Sequence, residues 1–321
     1  QQVTNMIREF GGTIEVYGSG LVPHMWEQWK KEAAQKVLTA VYDLGVSPPS
    51  FDFLSFLLEA ERYRRENGFT DMDVVFEPGP MRGFRDDELP PDIPTRESML
   101  WRVCVAMAKL LPSVRNVEVF KQRKAIDCDP EHVFPVGYAQ NQPKAHYGPR
   151  FLKDGEPMLR ASDYARARMR KDFKYATITL REASYWPDRN SNRKEWDKVA
   201  VFLWAQGIVP IFIPDTEGKP MPGWDNSLEA AIDLDCRVAL YEGAEINLGV
   251  LNGPMSLLPF IKAKFLIFNI VVETAVASST EFLRAHGFEH GDQMGGDGLL
   301  VWAPDTADVI LQHLKQPELT S

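Results

Sequence analysis

The chain has 321 residues, of which 44% are hydrophobic and 25% are charged, a globular composition that is long enough for two domains. Its formal charge of −9 disfavours non-specific binding to DNA, RNA or anionic lipid, since such binding needs a positive field. The three cysteines form no C-x-x-C pair, which argues against a disulfide scaffold or a zinc ribbon and favours a reducing cytoplasm.

The first half of the chain alternates strand-like and helix-like stretches. "GTIEVYG" is typical of a strand, and a helix is predicted over roughly Met25 to Leu44. "FDFLSF" then leads into the helical stretch "LLEAERYRRENG", which closes on Gly68 as a C-terminal cap. "DMDVVFEPG" and "NVEVF" are typical of strands and flank the apolar-faced helix "RESMLWRVCVAMAKLL". This alternation predicts βαβ units and a mostly parallel sheet.

A proline-containing segment separates the two halves. It carries prolines at positions 130, 135, 143 and 149 and shows no sustained hydrophobic periodicity, as an irregular connection does. We therefore predict an N-terminal domain over residues 1–155, on the acceptor side, and a C-terminal domain over residues 156–321, on the donor side.

The second half contains five short apolar strands separated by stretches of helix length. The predicted strands are Ala176–Leu180, Val209–Pro214, Asn247–Leu251, Phe265–Val271 and Leu299–Trp302. The predicted helices are Arg193–Gln206, Ser227–Leu234, Pro254–Ile261, Ser278–Ala285 and Asp305–Leu314. Parallel neighbours require crossover connections, so the expected fold class is α/β, with two Rossmann-like domains whose mostly parallel sheets face a cleft.

Polar residues follow the predicted strands of the second half at the point where each strand ends. They are Arg181 and Glu182 after the first strand, Asp215 after the second, and Asn252 and Gly253 after the third, directly before a helix that opens at Pro254. Ligands of open α/β sheets bind beyond the carboxyl ends of the strands. A glycine before a proline at the first helical position also leaves backbone N–H groups suited to a phosphate.

The loop after the first of these strands is rich in groups that bind anions. Arg181, Arg189 and Asn190 all precede the next helix, and an arginine guanidinium matches the geometry of phosphate or carboxylate. The structural alternative is that Arg181 forms an ion pair with its neighbour Glu182. In the first half, Glu77 ends a predicted strand and is the candidate general base across the cleft.

Several other classes of site are disfavoured. The chain has no G-x-x-x-x-G-K-[ST] and no G-x-S-x-G, and its close histidine pair, His286 and His290, lies in a glycine-rich loop. We therefore expect no metal site and no cofactor.

The longest apolar stretch is interrupted by Asn269 and Glu273 and is too short to span a bilayer, and no secretory leader is seen. A cytoplasmic protein is expected, and peripheral membrane attachment stays open.

The second half resembles the C-terminal domain of GT-B-fold glycosyltransferases. The similar stretches are "TITLRE" with the arginine-bearing loop after it, the strand "VPIFIPD" that ends in Asp, and "EINLGVLNGPMSLLPF". The resemblance implies that Arg181 and Arg189 contact the donor diphosphate and that Asn252, Gly253 and Pro254 form the phosphate-facing turn. It also implies that Glu245 lies near the sugar or ribose of the donor. The second half, which carries the resemblance, has no copy of the E-x-x-x-x-x-x-E donor motif of that superfamily.

These observations predict transfer of a sugar from a nucleotide-sugar donor to an unknown acceptor, without a bound metal ion. Arginines and a helix N-terminus would neutralise the departing diphosphate, and Glu77 would deprotonate the acceptor hydroxyl. Two alternatives stay open. One is a sugar-nucleotide epimerase of the same architecture, and the other is a non-catalytic binding or scaffold module with a degenerate donor site.

Overall fold

The structure is a computed structural model and describes residues 37–86, 92–126, 129–138, 157–216, 218–274, 278–285 and 288–315. The predicted strand "GTIEVYG", the first part of the helix predicted from Met25 and His286 lie outside these residues. So does most of the proline-containing segment with the predicted domain boundary, and the division at residue 155 therefore stays a prediction.

The first sheet is parallel throughout. Its strands are β1 (Val37–Asp43), β2 (Asp71–Glu77), β3 (Val114–Val119) and β4 (Val133–Phe134), in the order β3-β2-β1-β4. The helix predicted to reach Leu44 is wrong for this part of the chain, because residues 37–43 form a strand. The period-two pattern of "VLTAVYD" explains the strand, since it buries Leu38, Ala40 and Tyr42 on one face.

Two helical stretches cross over between the strands of the first sheet. Helix α1 (Phe53–Glu66) connects β1 to β2. Helices α2 (Ile93–Met99) and α3 (Ala106–Lys109), joined by a π-helical turn at Leu100–Val105, connect β2 to β3. Both crossovers follow the sequence prediction. Their buried side chains, such as Phe56 and Met107, pack on the sheet as parts of one hydrophobic core.

The second sheet has seven strands in the order β10-β11-β9-β8-β5-β6-β7. They are β5 (Tyr175–Thr179), β6 (Val209–Ile213), β7 (Asp225–Asn226), β8 (Ile246–Val250), β9 (Phe265–Phe268), β10 (Gln293–Gly295) and β11 (Gly298–Leu300). Every pair is parallel except β10 with β11. The predicted α/β class with two mostly parallel sheets is thereby confirmed.

Among the residues that the structure describes, six helices accompany the second sheet. They are α4 (Asp163–Met169), α5 (Arg193–Ala205), α6 (Leu228–Ile232), α7 (Leu234–Glu242), α8 (Thr280–Ala285) and α9 (Ala307–Leu314). Two 3₁₀ turns follow strands of this sheet, at Pro187–Arg189 and Pro254–Phe260. The helix predicted over Ser227–Leu234 runs two residues past the end of α6 at Ile232, and α7 was not predicted. Seven of the nine α7 residues are buried, so this helix shows no amphipathic stripe to reveal its period.

The two sheets share a hydrophobic core and touch at their carboxyl ends. One cluster of buried side chains includes Phe76 of the first sheet, Leu110 after α3, and Leu258 of the second half. A contact between Phe51, in the loop after β1, and Gly253, in the loop after β8, brings the carboxyl ends of the two sheets against each other. Ligands of parallel sheets bind at that edge, so the fold places a candidate site there.

Candidate functional site

Three neighbouring parallel strands bring most of the predicted site residues to one edge of the second sheet. Strand β5 lies between β8 and β6, and Thr179 is in register with Gly249 on one side and Ile213 on the other. Since the strands run in the same direction, the loops after them start at the same edge. We call these loops the rim, and they comprise residues 180–192, 214–216 and 251–253.

Arg181 lies inside its own loop. Its Nη1 donates to the Trp186 carbonyl at 3.0 Å and to Asn190 Oδ1, and its Nη2 donates to the Tyr185 carbonyl at 2.9 Å. The residue is 4% exposed, and burial lowers the pKa of its guanidinium. The structure therefore assigns Arg181 to the architecture of the loop. This replaces the direct ligand contact that the sequence predicted.

The carboxylate next to Arg181 does not pair with it. Glu182 instead accepts two hydrogen bonds from Arg193 Nη1, at 2.9 and 2.8 Å, so the predicted alternative of an Arg181–Glu182 ion pair is wrong. Its Oε2 also lies against Gly218, where a Cβ would stand 2.4 Å from that oxygen. Glu182 thus joins the start of α5 to the loop after β6, and its role is structural.

Asn190 and Asp215 likewise hold backbone groups of the rim. Asn190 accepts from the Ala183 amide at 3.1 Å and donates to the Ala183 carbonyl at 2.9 Å. Asp215 accepts from the amides of Glu182 and Thr216, at 2.9 and 2.8 Å. These bonds satisfy backbone polar groups where the strands end. The structure places both residues at the carboxyl edge of the sheet, as predicted, and their side chains form hydrogen bonds with backbone groups of the rim.

Arg189 is the guanidinium of the rim that lacks a matching acceptor. Its one hydrogen bond among the described residues runs from Nη2 to the Leu251 carbonyl, at 3.3 Å, and its buried Nε has no partner among them. Burial, and secondarily the charge of Arg181, lower the pKa of its guanidinium. Within the described ranges neither arginine forms an ion pair. The rim therefore carries two neighbouring cations, one buried and one half-buried, that form no ion pair there, although Asp215 lies in the same rim.

The turn after β8 is covered by the first lobe. We use this name for the first sheet with its helices, and "second lobe" for the second sheet with its helices. Asn252 Oδ1 accepts from the Met255 amide at 3.0 Å and so caps the 3₁₀ turn that begins at Pro254. Phe51 lies on Gly253, where a Cβ would stand 2.3 Å from the phenyl ring. Glycine is required here because of this close packing. Phe51 thus covers the turn at Gly253, and the phosphate-facing role of Asn252, Gly253 and Pro254 stays a prediction.

The loops after β9 and β11 add two buried polar groups, those of Ser278 and Trp302, that the sequence analysis did not assign to the site. Thr274 Oγ1 donates to Asp188 Oδ2 at 2.8 Å, which joins the loop after β9 to the rim. The Val272 amide donates to the Ser278 carbonyl, and the buried Ser278 hydroxyl has no partner among the described residues. The indole Nε1 of Trp302, two residues beyond β11, is in the same situation. Single polar residues of this kind give no sequence signal.

Buried polar atoms without partners thus concentrate at the carboxyl ends of the strands. Within the described ranges they include Arg189 Nε, Ser278 Oγ and Trp302 Nε1 in the second lobe and Glu77 Oε2 in the first. Folded proteins pair the large majority of buried polar atoms, so an unpaired group calls for an explanation such as a ligand absent from the free protein. Their common position supports a ligand site between the two carboxyl edges.

Two exposed aromatic side chains stand beside the arginines. Tyr185 and Trp186 are 67% and 47% exposed, although large apolar side chains are usually buried. Trp186 has a left-handed backbone, with φ 52° and ψ 58°, a conformation that non-glycine residues adopt rarely and that is enriched at functional sites. The Arg181 guanidinium carbon lies 5.3 Å from the centre of the Tyr185 ring. Arg181 therefore holds this aromatic pair in place.

Comparisons with known proteins give matches among solved structures alone. No family model and no curated protein matches the chain. A glycosyl transferase family 9 structure from Veillonella parvula covers 87% of this chain and 89% of its own, at 9% identity and TM-score 0.45. The ADP-heptose lps heptosyltransferase II of E. coli covers 92% and 81%, at 12% identity and TM-score 0.37. From likenesses of this size we take no functional conclusion.

Glu245 lies at the opposite edge of the second sheet. It directly precedes β8, its amide donates to the Tyr175 carbonyl at the start of β5, and its carboxylate lies 3.9 Å from Lys174 Nζ. Its predicted position near the donor sugar or ribose is therefore wrong. The physical reason is the direction of the strand, since a residue before a parallel strand is at the amino edge and ligands bind at the carboxyl edge.

Glu77 ends β2, as predicted, but it is completely buried. Its Oε1 accepts from the Lys124 amide at 3.4 Å, and Oε2 has no partner among the described residues. Its register partner on β1 is Asp43, which accepts from Arg123 Nη2 at 2.5 Å and from the Tyr138 hydroxyl at 2.9 Å. Burial raises the pKa of Glu77. In this conformation its carboxyl offers no accessible base to an acceptor hydroxyl.

The raised pKa of Glu77 predicts a pH-dependent stability. A carboxyl that binds its proton more tightly when folded contributes stability below its ordinary pKa of 4.5, and this contribution is lost as the pH rises through the folded value. We expect Glu77→Gln to gain stability relative to the unmodified protein between pH 4.5 and 8. Urea unfolding at a series of pH values measures the difference. Glu97 is exposed, so the control Glu97→Gln should show the same dependence of unfolding free energy on pH as the unmodified protein. The same dependence in Glu77→Gln would contradict the raised pKa of Glu77.

Two features are not found within the described ranges. No group of three or more His, Cys, Asp and Glu side chains is placed to hold a metal ion. No helix there has the length and apolar character needed to cross a bilayer.

Proposed function

We propose that this protein transfers a sugar from a nucleotide-sugar donor to an acceptor that is still unknown, with the donor diphosphate bound at the rim. The observation that carries the proposal is the neighbouring pair of guanidiniums of the buried Arg181 and the half-buried Arg189, which form no ion pair in the described ranges. Burying a charge without compensation is costly, and an anionic ligand would offset that cost. The chain has a net charge of −9, so carboxylates are plentiful elsewhere.

Arg189 is the residue that would meet the anion. Its Nε is buried without a partner, and its long bond to the Leu251 carbonyl leaves most of its donors available. An arginine fork binds phosphate oxygens in bidentate fashion. During sugar transfer, negative charge develops on the departing nucleoside diphosphate, and a fixed cation at this position would stabilise it. Transfer would therefore need no bound metal ion at this point.

The exposed aromatic pair Tyr185 and Trp186 favours a nucleotide sugar over a simple anion as the ligand. A phosphate group does not stack on aromatic rings, whereas a nucleobase or a sugar ring does. Stacking of a base on an aromatic side chain contributes about 1–3 kcal/mol. The rings lie three and four residues before Arg189, within the loop that Arg181 holds. This spacing matches a ligand with its phosphate and its ring next to each other.

The first sheet and its loops would supply the acceptor side of the site. The loop after β1 reaches the second lobe through Phe51, so an acceptor would enter beside that contact, from the first lobe. Glu77 was the predicted base, but its carboxyl is shielded from solvent in this conformation. A general base must come within hydrogen-bond reach of the hydroxyl that it deprotonates. In this conformation the Glu77 carboxyl does not come within that reach.

A thermal-shift screen with UDP, GDP, CDP and ADP sugars tests the donor site. We expect one nucleotide to raise the melting temperature, because a ligand at 100 times its Kd stabilises the folded state by about 2.7 kcal/mol. Arg189→Met should abolish this shift. The free variant should be as stable as the unmodified protein or more stable, since the change removes an uncompensated buried charge.

The matched control is Arg170→Met, an exposed arginine that precedes β5 and so lies towards the amino edge of the sheet. It should keep the full shift. No response to any of the four nucleotides would overturn the donor site, and a full response in Arg189→Met would overturn the placement of the phosphate. A product assay with and without acceptor then separates transfer from epimerisation, which needs no acceptor.

A further inference from the structure

A cavity lies at the amino ends of the strands, away from the rim. It has a volume of about 380 Å³ and opens between the end of α1, the segment 111–113 before β3, and the segment 157–160 that leads into the second lobe. On the second lobe it is bounded by the end of α7 and by Lys262, both of which precede strands. The cavity therefore belongs to neither the donor rim nor the acceptor entrance.

The lining of this cavity carries an excess of positive charge. Five cationic side chains line it, namely Arg64, Arg65, Arg160, Arg166 and Lys262. Two carboxylates, Glu61 and Glu242, lie opposite them. The local excess is three positive charges in a chain whose net charge is −9. Such local concentration within an acidic protein indicates attraction of an anion.

Three of the five cations have carboxylate partners. Arg64 and Arg65 share the buried Glu61, with Nε to oxygen distances of 2.7 Å each. Arg166 forks onto Glu242 with distances of 2.7 and 3.0 Å. These pairs fix the walls of the cavity.

The two remaining cations are the exposed side chains of Arg160 and Lys262. Within the described ranges neither side chain forms an ion pair or a hydrogen bond, although both face the same cavity. They supply one planar fork and one ammonium, which are the two groups that proteins use most to bind phosphate. Two cations without carboxylates thus stand beside a wall of paired arginines, where they could both contact one phosphoryl group.

The backbone around the cavity joins the two lobes. The amides of Met158 and Leu159 both donate to the Phe260 carbonyl of the second lobe, at 2.9 Å each. The amide of Arg160 donates to the Leu110 carbonyl of the first lobe, also at 2.9 Å. A ligand in contact with Arg64 on one side and Lys262 on the other would therefore bridge the lobes at the point where the connecting chain is fastened to both.

We propose that this cavity binds a small phosphorylated molecule and so ties the two lobes together behind the donor rim. Its volume is within the range of about 300–1,000 Å³ that is typical of small-ligand sites. Its polar, cationic walls select an anion over an apolar guest. Because the site touches both lobes, its occupation favours the arrangement of the lobes seen here.

Isothermal titration with inorganic pyrophosphate tests the proposal on the full-length protein. The double variant Arg160→Ala/Lys262→Ala should weaken binding at this cavity by about tenfold or more, because two charge-assisted contacts are lost. Both side chains are exposed, so the melting temperature without ligand should stay unchanged. The matched control Arg170→Ala/Lys171→Ala removes the same two residue types from an exposed site outside the cavity lining and should bind as before.

The Arg189→Met variant separates this cavity from the donor rim. It should retain the pyrophosphate binding that the Arg160/Lys262 double variant loses, so either proposal can fail without the other. Unchanged pyrophosphate binding in the Arg160/Lys262 double variant would overturn the cavity as an anion site. An equal loss in the Arg170/Lys171 control would overturn it too, since it would show attraction by general surface charge.

Discussion

Replacing Arg181 by alanine is expected to lower the stability of the protein by about 2–4 kcal/mol and to abolish its response to nucleotide sugars. The guanidinium is nearly buried and donates to the carbonyls of Tyr185 and Trp186 and to Asn190 Oδ1. Without it, these acceptors lose their partner and the left-handed backbone of Trp186 loses its support. Urea unfolding measures the stability, and the thermal-shift screen measures the response.

Two further variants separate positioning from contact. Arg181→Lys should not restore the loop, because a single ammonium cannot replace the planar fork that reaches three acceptors. Arg189→Met should lose the response to ligand without losing stability, since that residue makes one long hydrogen bond. Limited proteolysis should cut the loop at residues 182–190 faster in Arg181→Ala than in Arg189→Met. Equal stability of Arg181→Ala and the unmodified protein would contradict the architectural role.

The sequence was sufficient for the fold of the second half because its strands are short, apolar and separated by helices of ordinary length. Strand β5 was predicted from Ala176 and found from Tyr175, and β6 was predicted and found from Val209. The parts that were missed lack a local signal. Helix α7 is buried on nearly all sides, and β7 and β4 have two residues each, which is too few to show a period.

The edge of the sheet was predictable, but the roles of the side chains were not. A residue after a parallel strand is at the carboxyl edge, so Arg181 and Asp215 could be placed there from the sequence alone. Which way a side chain turns depends on acceptors that the folded loop supplies, and so the guanidinium of Arg181 faces inward. Phe51 lies 202 positions before Gly253 in the chain, and no local pattern shows that it covers the turn.

Trp196 offers the largest expected change in stability outside the rim. The side chain is fully buried in the core on one face of the second sheet, and its ring centre lies 6.0 Å from that of Phe268. Its Nε1 donates to Asp305 Oδ2 at 2.8 Å, and burial raises the pKa of that carboxyl. Trp196→Ala should cost about 3–5 kcal/mol through the cavity that it leaves, and further through the lost partner of Asp305. Urea unfolding measures this loss of stability, and the slope of the unfolding free energy against urea concentration should stay unchanged.

The same helix provides the matched control. Trp204 lies eight residues further along α5 and is 60% exposed, so Trp204→Ala should change the stability by no more than about 0.5 kcal/mol. Trp196→Phe keeps most of the buried volume but not the indole N–H, and its cost should fall between the two. Asp305 precedes α9 and also accepts from the Asn192 amide at 2.8 Å, so its carboxylate joins the segment before α9 both to α5, through Trp196, and to the residue that precedes α5. Similar losses in Trp196→Ala and Trp204→Ala would mean that burial of this helix face does not determine its contribution, and the packing described here would be incorrect.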